Sequence, residues 1–218
     1  NAMSFDTATN SATRMIGPLI GGVLYQILGL EGAYLIATFV YALTIIFALG
    51  LASPRSSSIP RKGEGLLSRL NAGVGYARRN NIIKSVFVIT VILNLFGFCY
   101  ASILPVWAVE NFQADPVFVG LLASAEGGGA FFGAIILAFW ARPKHFQRLF
   151  LAGAALFLGG LLIASKLTFY GAALLALFGA GVGIAAFGAM QSTLVLKEAS
   201  HEFRSRVMGV LAACIGAA

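Results

Sequence analysis

Charge is scarce in this chain. Asp, Glu, Lys and Arg make up 11% of its 218 residues, apolar residues make up 59%, and the mean hydropathy is +0.88. Those values exclude an ordinary water-soluble globule. Cysteine is scarcer still: Cys99 and Cys214 both sit in apolar surroundings and read as packed thiols, with no disulfide framework. His145 and His201 stand apart in polar loops, so no metal site is expected. There is no Gly-x-x-x-x-Gly-Lys-Ser/Thr loop, which excludes an ATP motor. There is also no His-Glu-x-x-His and no nucleophile elbow. No catalytic residue and no cofactor is therefore expected, and one carboxyl within an apolar run is too little chemistry for an intramembrane enzyme. The first apolar run lacks the basic flank of a cleaved signal.

What the chain has instead is long apolar stretches. Six run approximately over 15–30, 33–52, 85–107, 117–140, 149–165 and 168–196, and a seventh begins at Val207. A helix needs about 20 apolar residues to cross a hydrocarbon core about 30 Å thick. Only helices and closed barrels satisfy the backbone in lipid, and unbroken runs of this length are helical. The expected fold is all-α, a polytopic membrane helix bundle with six complete spans and the start of a seventh. The lipid bilayer is its first partner.

The formal charge of +7 reports topology, and no nucleic acid is implied. Arg55, Arg61, Lys62, Arg69, Arg78, Arg79 and Lys84 fall between the second and third runs. Arg142, Lys144 and Arg148 fall between the fourth and fifth, Lys197, Arg204 and Arg206 between the sixth and seventh, and Arg14 opens the first. The alternate loops hold Glu31, Glu110, Asp115 and Lys166. The positive-inside rule puts the basic loops in the cytoplasm, with the chain in the plasma membrane. Tyr25, Tyr34, Trp107 and Tyr170 at the outer ends, and Tyr76 and Trp140 at the inner ends, form aromatic belts.

The longest polar interval divides the chain into 1–52, a linker at 53–81, and 82–218. The linker opens on Ser-Pro-Arg-Ser-Ser-Ser-Ile-Pro, a flexible composition. From Glu64 onward, Leu66, Leu67, Leu70, Val74 and Ala77 recur at helical spacing. This predicts an amphipathic helix on the cytoplasmic face, apolar side in lipid and arginines near headgroups. A calmodulin-like or partner-binding segment is the rival reading.

Glycine is abundant, at 26 residues, and patterned. The first run carries Gly17-Pro18-Leu19-Ile20-Gly21-Gly22. Glycine lets a neighbouring membrane helix approach closely, and Pro18 removes a hydrogen bond and kinks the helix. Such a helix either packs and pivots or forms a static seam. Arg14 with Gly-Pro-x-x-Gly-Gly resembles the antiporter signature of the major facilitator superfamily, carried on the fifth helix of that fold. Thr13 and Ser4 stand where the strict pattern has glycines. Residues 73–80 resemble the segment before the seventh helix in bacterial drug and siderophore exporters, and 204–209 resembles the turn into their eleventh. The resemblance covers essentially the whole chain, as helices five to ten and part of eleven, and makes native interior sequence the favoured reading of Asn1-Ala2 over a cloning remnant. Ser205, Ser200 and Leu196 depart from the branch's usual residues, and 139–145 lacks the aspartate of the family's loop motif.

Glu126 is the one acid well inside a run. At 1.5 Å per residue from Val117 it lies about 13 Å deep, where a carboxylate costs several kcal/mol unless protonated, paired or facing water. It reads as a proton carrier or the counter-charge for a cationic substrate, or else as a neutral carboxyl joining two helices. Asn94 and Gln191, with Phe98 and Tyr100, are candidates to line a cavity, and the two amides read first as interhelical hydrogen bonds. Asp6, Asn10 and Arg14 share a helix face near the cytoplasmic mouth.

The resemblance implies a secondary active transporter, a proton-coupled antiporter exporting a small, partly apolar molecule. Its half-bundles would be 1–52, the last two helices of the first, and 82–218, an incomplete second. A full pathway would need further helices or a second copy. The alternative is a non-transporting membrane scaffold or interaction subunit.

Overall fold

The computed structural model describes the backbone of residues 2–50 and 66–216, and side chains from Ala12 to Gly50 and Ala72 to Gly216. The linker stretch 51–65 lies outside the described residues. Eight α-helices follow in order: α1 Ala2–Gly50, α2 Leu66–Arg79, α3 Asn81–Ile92, α4 Tyr100–Phe112, α5 Pro116–Trp140, α6 Phe146–Ala164, α7 Tyr170–Glu198 and α8 Arg204–Gly216. A π-helical turn, Leu93–Gly97, joins α3 to α4. Among the described residues, five segments are long and apolar enough to cross a membrane, the first spanning 39 residues.

That first segment holds two of the apolar runs. At 1.5 Å per residue, 39 residues extend about 58 Å, roughly twice a hydrocarbon core. The helix is broken by a kink at Gly29 (φ 68°, ψ −174°), a backbone state that glycine tolerates and side chains do not. Pro18, where the sequence places a kink, lies within helix, and Gly29 is a further break outside the Gly-Pro signature.

Local signals set the other boundaries. The Asn80 side chain accepts from the amides of Ile82 and Ile83 at 3.0 and 3.3 Å, capping α3. Gln113, in the left-handed region at φ 51°, ends α4, and Pro116 opens α5 where its missing N–H costs nothing.

Helix α7 is the central column, packed on α3, α5 and α6, and α1 packs on α5. The glycine pattern explains the closeness. A Cβ on Gly153 of α6 would lie 2.7 Å from the Gly183 carbonyl oxygen of α7, and one on Gly183 would lie 2.6 Å from the Phe157 amide. Gly129 and Gly181 likewise bring α5 and α7 into backbone contact. Lipid offers no hydrophobic force between helices, so such close packing holds the bundle together. Phe157, buried at the centre, meets Phe98 and Tyr100 at ring-centroid distances of 5.4 and 5.8 Å.

The amphipathic helix is present as α2, and its second half packs on protein. Gly73 lies against Val210 and Arg206 of α8, and Ala77 is buried. Tyr76 stacks on Phe203 at 4.7 Å, and its hydroxyl accepts from the Ser200 amide at 3.1 Å. Hydrogen bonding to Ser200 holds the Tyr76 phenol below its ordinary range. Hydrophobic spacing reports which face of a helix is apolar, not what covers it.

Candidate functional site

The first half of α1 and the first half of α5 run antiparallel and meet at three levels. Gly22 sits on the Pro116 carbonyl, Gly120 on the Pro18 carbonyl, and Gly127 on the Arg14 carbonyl. Pro18 has no N–H to return to Arg14, four residues earlier, so that carbonyl loses its helical donor. The Gly127 Cα–H faces it instead. Gly17 and Gly21, also in the signature, meet nothing within 4 Å of a built Cβ. The signature therefore splits: Arg14, Pro18 and Gly22 face α5, and Gly17 and Gly21 leave open space.

Arg14 lies deeper than the start of its apolar run suggests. Helix α1 already begins at Ala2, and the Arg14 backbone stands level with Gly127, 13 residues before the end of α5 and hence about 20 Å from it. The residues before Arg14 are polar enough to lower hydropathy, yet they are helical, which moves the arginine inward. Glu126 is partly buried beside Gly127, its carbonyl pressed on Gly181 of α7. Arg14 and Glu126 thus stand on two facing helices, about midway along α5. Side chains of Asp6 and Asn10 lie outside those described, although their backbone continues the same helix.

Ser124 is a residue the sequence did not single out. It falls between Gly120 and Gly127 on α5, its hydroxyl is buried, and among the described residues it has no hydrogen-bond partner. A buried hydroxyl without a partner costs about 1–3 kcal/mol. Serine in a glycine-rich run reads as packing, so only its unmet bond marks it.

Beside this seam opens a cleft of about 540 Å³ between α1, α4 and α5. Pro18, Gly22 and Tyr25 form one wall, and Leu104, Pro105 and Ala123 are among the residues opposite. Its lining is mainly apolar, and its volume suits a small organic molecule. Pro105 leaves the Ala101 carbonyl, also at the cleft wall, without its helical donor. Tyr25 and Pro105 were not among the cavity candidates: an aromatic at a helix end reads as a belt residue.

The four residues expected to line a cavity gather elsewhere. The Asn94 side chain donates to the Thr90 carbonyl at 2.8 Å, and the Gln191 amide donates to the Thr90 hydroxyl at 2.6 Å. That hydroxyl in turn donates to the Val86 carbonyl at 2.7 Å. Thr90 and Gln191 are buried, so this is a polar joint between α3 and α7 next to the π turn. Phe98 and Tyr100 pack on Phe157, and Tyr100 also edges a small apolar pocket of about 150 Å³ with Trp107 and Leu161. Threonine within an apolar run hides this hub, but its four-residue spacing from Asn94 is visible in sequence.

Among the described residues no group of His, Cys, Asp and Glu could hold a metal ion. No curated protein and no solved structure matches the chain. The family model of the Major Facilitator Superfamily matches residues 1–218, the whole of it. Its members are membrane transporters, not enzymes, and the all-helical bundle with long apolar helices agrees with them. The chain belongs to the Major Facilitator Superfamily.

Proposed function

We propose that this protein is a proton-coupled antiporter that exports a small, partly apolar molecule of drug or siderophore type. In this reading 1–52 ends one half-bundle, 53–81 links the halves, and 82–218 belongs to the other. The basic loops face the cytoplasm of a bacterial inner membrane. The observation that carries it is the α1–α5 seam, where Arg14 and Glu126 stand on facing helices midway along α5, beside an apolar cleft.

The chemistry follows from charge balance. With α1 against α5, the Arg14 cation favours the charged form of Glu126 and burial favours the neutral one. When α1 parts from α5, that balance is lost, and the carboxyl takes up a proton. Proton occupancy and seam position are then one equilibrium, which is what coupling requires. The cleft supplies apolar surface for the exported molecule, with the Tyr25 hydroxyl and the Ala101 carbonyl as its polar contacts. Transporters of this kind rock about a midplane site between two halves.

The test is proton-driven efflux of a lipophilic cationic dye from vesicles holding the protein. The Glu126→Gln variant is expected to insert normally and lose tenfold or more of the pH-driven flux. Unchanged coupled flux in that variant would overturn the reading.

A further inference from the structure

A second groove, away from the α1–α5 cleft, lies where α5 ends and α6 begins. It holds about 360 Å³. Trp140, His145 and Arg148 stand at its basic end, and Ile136, Leu137 and Leu149 give it an apolar floor running into the membrane.

Charge around its mouth is mainly basic, although Glu198 follows Lys197 at the end of α7. Arg142, Lys144 and Arg148 are exposed, and the sequence from Gly127 to Lys197 contains no carboxylate. Among the described residues none of these three side chains is held in an ion pair or hydrogen bond. Lys197 of α7 adds a fourth cation beside them, its Nζ 5.9 Å from the ring centre of Phe146, where α6 starts. His145 gives α6 no side-chain cap, and the first turn holds no acid, so the positive end of the helix adds to the same field. Trp140 is 82% exposed, as suits a ring at headgroup level.

We propose that this groove binds one anionic phospholipid, its phosphate among Arg142, Lys144 and Arg148 and one acyl chain along Ile136, Leu137 and Leu149. A free anion would leave the apolar floor uncovered, and a zwitterionic lipid would leave the cations unanswered. A lipid with net negative charge meets both. Each basic residue near the surface contributes about a fivefold preference. The site stands whether or not the α1–α5 cleft carries a substrate.

Trp140 makes the site readable. The Trp107→Phe variant leaves it as the single tryptophan. That variant is reconstituted in phosphatidylcholine vesicles with rising fractions of brominated phosphatidylglycerol or brominated phosphatidylcholine. Quenching should favour phosphatidylglycerol at least fivefold. The preference should fall to about one when Arg142, Lys144 and Arg148 are all changed to Gln, and should survive Arg148→Lys. It should also survive Arg78→Gln with Arg79→Gln on α2. Equal quenching by the two lipids overturns the proposal. Loss of preference in both sets of variants also does, because it indicates attraction to the whole basic face. So does displacement of phosphatidylglycerol by an equal concentration of inorganic phosphate. Native mass spectrometry of the unaltered chain gives the same answer without Trp107→Phe, as retained phosphatidylglycerol against retained phosphatidylcholine.

Discussion

The α6–α7 and α1–α5 seams are both built from glycine pressed on backbone, and they differ in everything else. Across α6–α7, Gly153 and Gly183 face each other and Gly160 meets Ala180, with Phe157 buried alongside. Neither helix carries an internal proline or an ionisable group at these contacts. Across α1–α5, Pro18 interrupts the hydrogen-bond ladder, Ser124 has no partner among the described residues, and Arg14 lies near Glu126. A cleft opens along the same line. Among the described residues the first seam has no buried side-chain group without a partner. The second has one, with an ionisable residue on each helix, and on the proposed reading it is the seam that moves. Close packing alone does not make a static contact.

Changes in each seam should separate the two roles. The largest effect is expected for Gly183→Leu, which drives a side chain into the Phe157 backbone. Overpacking costs about 1–3 kcal/mol or more, and backbone contact on this column leaves no room to yield. Folded, monodisperse protein should fall to a small fraction of wild type by size-exclusion chromatography. Gly127→Leu meets the Arg14 backbone in the same way, but α1 has α5 as its main partner and can move off. That variant should still fold and lose most of its pH-driven flux. If the two variants behave alike in folded yield, the contrast between seams fails.

Smaller effects sharpen the picture away from the seams. Thr90→Val strands the buried Gln191 amide and should lower stability by about 1 kcal/mol, the usual size for a hydrogen bond between membrane helices. Thr90→Ser should restore it, and a thermal unfolding series reads both. Tyr76→Phe removes one partly exposed acceptor and should change stability by less than about 0.5 kcal/mol.

Most of the architecture is legible in the residues because a membrane leaves few choices. Run length gives the spans, and the Arg14 to Gly22 signature points to the helix that meets α5. Depth and neighbours are less legible. Arg14 reads as a mouth residue because hydropathy falls before it, although the helix continues through the polar residues. Gln191 reads first as an interhelical joint and second as cavity lining, and the partner that makes the joint, Thr90, lies 101 residues away. Gly29 hides among 26 glycines, since conformation rather than composition singles it out. The unmet hydroxyl of Ser124 has no sequence signal at all.

On the proposed function, the α1–α5 seam is expected to move while α6–α7 stays shut. Paired spin labels measure it most directly, with Cys99 and Cys214 replaced by Ser. One pair sits at Gln26 and Phe118, exposed residues on the first half of α1 and on α5. The control pair sits at Leu162 and Leu175, exposed on α6 and α7. The account predicts two distances for the first pair, with populations that shift between pH 5 and pH 8, and Glu126→Gln should abolish that shift. It predicts one unchanging distance for the second. A single, pH-independent distance across both pairs would contradict it.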